Sequence, residues 1–377
     1  VKKSEPKAKA NTKEADNAAV LPSLVPVQLQ QLLLDIFRYT FAEVLNSDDL
    51  QPLLQDVKAA LYDRDFARAF GKPEYLEAYS SRWSPSRALC YVSILVDLRT
   101  ELLELSLLST VQPDGSPKGK SDRSDAITSY CKPNLNVVSF GGGAAEVVAF
   151  GGYLKCLHDL SRTVKDNVAV ESLANLSVTD IEPKIDLLLI DTAQWGDVVG
   201  MLDEGLTTPP HLSKYASKLA REANTPLISV GAIATTFRSV DLLELGQSQL
   251  DDIVGREPTL LTLLFTLNEL YSTSIGRTTA FLLNLTSSTK PGTLLLVVDS
   301  PGSYSETVVG NEEKRYPMQW LLDHTLLSTE KTRGQESLVN WTKIFSDDSR
   351  WFRLPDNLRY LIPLENTRYQ ISLYRRL

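Results

Sequence analysis

The sequence predicts an α/β protein: a mostly parallel, seven-stranded sheet with helices on both faces, closed by an antiparallel hairpin and preceded by a helical unit. Three observations carry this expectation. Between residues 135 and 299, five continuous apolar runs alternate with stretches of helical periodicity, the pattern of parallel strands buried on both faces. Near the C-terminus, two strand-like runs are parted by only two residues. The first hundred residues show helical spacing alone.

The elements follow in order. Residues 1–22 hold five lysines against three acids and few apolar groups, the composition of a disordered basic tail. Residues 23–125 form a helical unit and linker. Leu29, Leu32, Leu33, Ile36 and Phe37 recur at helical spacing after Pro26, which suits a first turn. The pattern restarts after Asn46-Ser47-Asp48, and again after Ser84-Pro85, where Leu89, Val92, Leu95 and Leu102 share a face. "QPDGSPKGKSDRSD" then reads as a linker.

From residue 126 to 377 strands are expected at 135–140, 185–191, 226–237, 259–266 and 292–299, with helices near 144–160, 195–204, 212–223, 250–257 and 273–289. The hairpin is expected from "LRYLIPLE" and "RYQISLYRR", turning at Asn366-Thr367. No internal repeat is present.

Composition narrows the function. No segment reaches the length of uninterrupted apolar sequence that a membrane helix needs. Cys90, Cys131 and Cys156 are odd in number and widely spaced, which argues against a disulfide framework and a thiolate metal site. A reducing compartment, cytoplasmic or nuclear, is therefore expected, and the sequons at Asn175 and Asn284 are read as chance. The net charge of −8 gives a nucleic acid no long-range attraction. His158, His211 and His324 lack metal-ligand spacing and a paired nucleophile, so no metal is expected. Neither a GxxxxGK[ST] phosphate loop nor a GxSxG elbow occurs.

The candidate site starts at "SFGGGAAE". A strand running into Gly141, Gly142 and Gly143 and opening a helix near Ala145 directs backbone N–H groups at one point and permits close approach. Glycines at such a turn can equally serve the backbone alone. Asp191 ends the next strand, where ribose hydroxyls need an acceptor, or else it caps a helix or is a solvated loop acid. About 48 residues separate it from Gly143, whereas the dinucleotide pattern has ~20. Asp241 follows the third strand, where it either meets an adenine amino group or lies on a surface turn. Asn268 and Glu269 follow the fourth, at the edge where open α/β sheets place their chemistry, though Glu269 also suits a helix start.

A glycine turn, acids after strands two and three, a polar edge after strand four and a closing hairpin together resemble a class I S-adenosylmethionine (SAM)-dependent methyltransferase. "YLEAYSSRWSPSRALCYVSIL", "VVSFGGGAAEVVAFGGYL", "LFTLNELYSTSIGRTTAFL" and "DSRWFRLPDNLRYLIPLENTRYQISLYR" are similar to the fungal family that includes the enzyme making N3-methyluridine in large-subunit ribosomal RNA. The resemblance covers nearly everything after about residue 25. It implies a Rossmann-like fold, SAM as cofactor, and large-subunit rRNA or a pre-ribosomal particle as partner. It also implies that Gly141, Gly142, Gly143 and Ala145 form the SAM loop, that Asp191 holds the ribose, and that Asp241 lies near the adenine. Asn268 and Glu269 would border methyl transfer, with Glu269 the candidate base. Tyr79, Trp83 and Arg87 are candidate RNA or lid residues, and Trp195 either flanks the adenine or packs under a loop. In one respect the chain departs from many class I enzymes, which carry an acid two positions before the first glycine where this chain has Ser139. Two other readings share the fold: an NAD(P)-dependent oxidoreductase, against which stands the lack of a YxxxK pair, and a non-catalytic ribosome-assembly factor.

Overall fold

The computed structural model describes residues 24–108, 133–167, 183–212, 214–222, 224–302, 306–308, 315–327 and 340–377, with α8 side chains only to residue 161. The expected tail and linker, Cys131 and Asn175 lie outside the described residues. The helical unit comprises α1 (Val27–Thr40), α2 (Ala42–Leu45), α3 (Leu50–Tyr62), α4 (Phe66–Ala69), α5 (Pro73–Arg82), α6 (Ser84–Asp97) and α7 (Arg99–Leu108). The alternating region runs β1 (Asn134–Phe140), α8 (Ala144–Asn167), β2 (Lys184–Asp191), α9 (Gly196–Thr207), α10 (Lys218–Glu222), β3 (Ile233–Ser239), α11 (Gln247–Val254) and β4 (Leu260–Leu264). It continues with α12 (Leu267–Thr273), α13 (Ile275–Ser288), β5 (Leu294–Asp299), the small ribbon β6 (Glu306–Val308) and β7 (Arg315–Pro317), α14 (Met318–Leu327), β8 (Trp341–Phe352) and β9 (Thr367–Arg376).

The main sheet has the order β3-β2-β1-β4-β5-β9-β8. Its first five strands are parallel, and β9 is antiparallel to both neighbours. This is the class I SAM-methyltransferase arrangement. Every residue of β4 and β5 is buried, as expected of central strands covered on both faces. Strand order reverses between β1 and β4, so their carboxyl ends flank a crevice where doubly wound sheets bind ligands. None of the helices among the described residues is long and apolar enough to cross a membrane.

Two apolar layers enclose the sheet. One joins α1, α6, α8 and α9 through Leu33, Phe37, Val92, Phe150, Tyr153 and Leu202. The other gathers α11 to α14 around Leu250, Phe281, Leu322 and Trp341. The helical unit is thus built into the first layer. Gly152 makes that close approach possible, since a Cβ there would lie 2.8 Å from Leu33 and 3.0 Å from Val92.

Three expected elements need correction. The hairpin exists, but its first strand is β8, and 358–365 forms no strand. The alternation of Leu358, Tyr360, Ile362 and Leu364 is real, but those side chains pack on the helical layer. Backbone groups of this segment bond side chains of that unit: Arg359 N–H donates to Gln31 at 2.8 Å and Glu365 N–H to Ser86 at 3.2 Å. β8 escapes notice because, as an edge strand, it alternates exposed and half-buried residues with polar and apolar side chains on both faces, and carries two register irregularities. The third strand starts only at Ile233, and the helix expected over 212–223 shortens to α10.

Candidate functional site

The glycine turn has packing reasons of its own. Gly141 has φ +73°, and a Cβ there would collide with the Thr266 side chain. At Gly142 a Cβ would meet Ser139 Oγ at 2.6 Å, and at Gly143 the Trp195 ring at 3.1 Å. The triple glycine therefore lets the β4–α12 turn, Ser139 and Trp195 close on the backbone. Ala145 is buried in the apolar layer.

Ser139 is wholly buried, and its Oγ accepts a hydrogen bond from Thr262 at 2.8 Å. The nearby acid is instead Glu146, in the first turn of α8. Its Oε2 accepts from Gly143 N–H at 2.9 Å, and burial pushes its pKa up to about 7. Asp191 ends β2, with Oδ1 accepting from Ala193 N–H at 2.8 Å. Burial raises its pKa to about 6 against the pull of these hydrogen bonds. Asp241 is exposed and caps the short turn Leu242–Glu244, accepting from Leu243 N–H at 2.8 Å.

At the end of β4, Asn268 is buried and its N–H donates to Asp299 Oδ2 at 2.9 Å. Asp299, from the end of β5, thereby caps α12 from outside, and burial raises its pKa to about 6. Glu269, in the first turn of α12, has a buried Oε2 with no hydrogen-bond partner among the described residues and an ion-pair distance of 3.8 Å to Arg64. Burial raises its pKa, and Arg64 and Arg87 oppose that shift.

The helical unit covers this edge. Tyr79, Trp83 and Arg87 lie four residues apart along α5 and α6, partly exposed between buried neighbours. Tyr79 stands 5.3 Å from Trp83, 5.8 Å from Trp195 and 5.0 Å from Phe70, which itself lies 5.6 Å from Trp195. This aromatic group clasps the glycine turn. Trp195 is buried among these rings. Arg87 lies over the Phe265 ring at 4.7 Å, and Phe265 holds φ +58°, a left-handed conformation that costs a β-carbon residue about 1–2 kcal/mol.

The structure therefore gathers Gly141–Gly143, Tyr79, Trp83, Arg87 and Glu269 around the carboxyl ends of β1 and β4, with Asp191 at the end of β2. Asp241 stays on its exposed turn. Sequence reasoning missed Glu146, Asp299, Phe265 and Arg64. Only Glu146 carried a signal, a glutamate three residues after a turn, where a side chain reaches back to a free N–H.

The arrangement fits a nucleoside carrying a charged amino-acid end: an acid at the end of β2, aromatic rings beside the turn, and a half-buried cation and a buried acid at the helix starts. Among the described residues, no three His, Cys, Asp or Glu side chains gather as metal ligands. A cavity of about 620 Å³ lies at the opposite edge of the sheet, lined by Leu154, His158, Lys184 and Pro226, and belongs to no part of this site.

A family model described as "Putative SAM-dependent methyltransferase" matches residues 37–375. The chain is 31% identical over 354 residues to the 25S rRNA (uridine(2843)-N(3))-methyltransferase of Saccharomyces cerevisiae, covering 91% of this chain and 85% of that one. Among solved structures it is similar to a SAM-dependent methyltransferase from Methanosarcina mazei, with TM-score 0.32, 8% identity, and 66% and 95% of the two chains covered. An O-methyltransferase family protein from Burkholderia thailandensis gives TM-score 0.32, 12% identity, and 87% and 70% covered. Strand order and direction, rather than likenesses at these scores, fix the fold. With a family model spanning most of its length and a relative matched nearly end to end, the chain belongs to this family of SAM-dependent methyltransferases.

Proposed function

We propose that this protein methylates N3 of an unpaired uridine in large-subunit ribosomal RNA. The observation that carries the substrate is the 31% identity to the yeast uridine-N3 enzyme over 91% of the chain. The site is compatible with it. Uridine N3 bears a proton and lies on the pairing edge, so the base has to be unpaired or turned out of its stack to react.

Bound SAM supplies an electrophilic methyl group that needs alignment more than activation. Tyr79 and Trp83 offer ring faces for a base entering beneath the helical unit. Glu269 Oε2, which has no hydrogen-bond partner among the described residues, would accept the N3 proton as the nitrogen takes up the methyl group and S-adenosylhomocysteine leaves. Arg64, 3.8 Å from that oxygen, opposes the upward pKa shift that burial gives Glu269.

Nucleoside mass spectrometry of RNA incubated with protein and SAM tests the reading, with N3-methyluridine the expected product. Glu269→Gln is expected to lower turnover about 100-fold or more while SAM affinity holds. Normal turnover would place the base elsewhere. A protein that binds SAM and co-sediments with pre-ribosomal particles, yet leaves both free and particle RNA unmethylated, would instead be an assembly factor.

A further inference from the structure

We propose that Arg87 and Glu146 together hold the amino-acid end of SAM, Arg87 taking its carboxylate and Glu146 its ammonium group. The starting point is a charge arrangement that the protein leaves incomplete. Arg87 is in the first turn of α6 and Glu146 in the first turn of α8, two helices of the same apolar layer. Glu146 is buried and Arg87 half-buried, and each influences the other's charge. They do not pair. Among the described residues, no carboxylate comes within ion-pair distance of Arg87, whose neighbours are the Phe265 ring and the Tyr91 side chain. Glu146 likewise has no cation in contact, and its Oε2 receives Gly143 N–H.

A half-buried guanidinium over Phe265, just past the end of β4, and a buried carboxylate tied to Gly143, just past the end of the neighbouring β1, suit a zwitterion, which presents one group of each sign a few ångströms apart. Partnering both removes the cost of leaving either unpaired. The position is also right. Glu146 is tied to the glycine turn and Asp191 ends the adjacent strand, so a nucleoside whose ribose meets Asp191 can extend its amino-acid end toward α6. Ser139 cannot serve this end, being buried beneath Gly142 and bonded to Thr262. The acid that β1 lacks is supplied by the helix three residues after the last glycine. Arg87 accordingly moves from the RNA side of the site to the cofactor side.

Calorimetry with three ligands tests this without any methyl transfer: S-adenosylhomocysteine, decarboxylated SAM and 5′-methylthioadenosine, which lacks the amino-acid end. Arg87→Met is expected to weaken S-adenosylhomocysteine about 10- to 100-fold, with affinity for the other two nearly unchanged. Glu146→Gln is expected to weaken S-adenosylhomocysteine and decarboxylated SAM but not methylthioadenosine. Equal losses for all three ligands, or undiminished S-adenosylhomocysteine binding with lost RNA binding, would overturn the assignment. Should Arg87→Met fail to fold, Arg87→Lys keeps the charge without the two-pronged donor, and a loss confined to S-adenosylhomocysteine is again expected. Equal affinity of the wild-type protein for all three ligands overturns the proposal by itself.

Discussion

Glu146 sets a pH dependence that a surface glutamate would not. The fold raises its pKa from 4.5 to about 7, so the folded state favours the neutral carboxyl. The stability it contributes is fully present below about 4.5 and is lost as pH rises to about 7. Glu146→Gln stays neutral and can still accept from Gly143 N–H. In urea denaturation without ligand, the variant is expected to match the wild type near the lower limit and to exceed it above the upper one, by at most about 3 kcal/mol. A wild type more stable than the variant at alkaline pH would mean that Arg87 already neutralises the carboxylate. Glu146 and Glu269 also differ in a way their sequence contexts hide. Both start helices, yet one receives a backbone N–H and the other keeps a buried oxygen without a hydrogen-bond partner among the described residues.

Among the elements, α8 shows how a glycine can be required far from any ligand. Gly152→Val would drive branched carbons into Leu33 and Val92, and an overpacked interface of this kind costs about 1–3 kcal/mol. Gly200, exposed on α9 with nothing near its would-be Cβ, is the control. Gly200→Ala is expected to stabilise by up to about 1 kcal/mol through helix propensity. Thermal melts of the two variants should therefore move in opposite directions. The 358–365 segment makes a related point: its period-two alternation correctly marks extended chain, but it lies against helices, and the strand that pairs with β9 comes earlier.

Across the whole molecule, the expected boundary near residue 125 meets an apolar layer that crosses it. Leu33, Phe37, Leu89 and Val92 from the helical unit share a cluster with Phe150, Tyr153, Leu187 and Leu264 from the alternating region. Ties to the C-terminal segment add to this, including the Arg82–Glu365 ion pair and the Tyr360 hydroxyl donating to the Ser81 carbonyl at 3.0 Å. Calorimetry is expected to show one cooperative unfolding transition, because neither region can open without exposing the other's core. Two separated transitions would show that the regions fold independently.

Those contacts across the boundary separate what the sequence determined from what the tertiary structure decided. Sequence alone determined the alternating parallel sheet, because a strand buried on both faces has to be a continuous apolar run, and β1, β2, β4 and β5 all read that way. It also located Gly141–Gly143, Asp191, Asn268 and Glu269, since the ends of parallel strands are where chain direction and backbone N–H groups converge. Contacts between residues far apart in the chain left no such local mark. The clasp of Tyr79 and Phe70 on Trp195, Arg64 beside Glu269, the strained Phe265 under Arg87, and the mutual influence of the Arg87 and Glu146 charges exist only because the helical unit packs over the carboxyl edge of the sheet. Local periodicity records which face of an element is buried, and tertiary structure alone decides what that face meets.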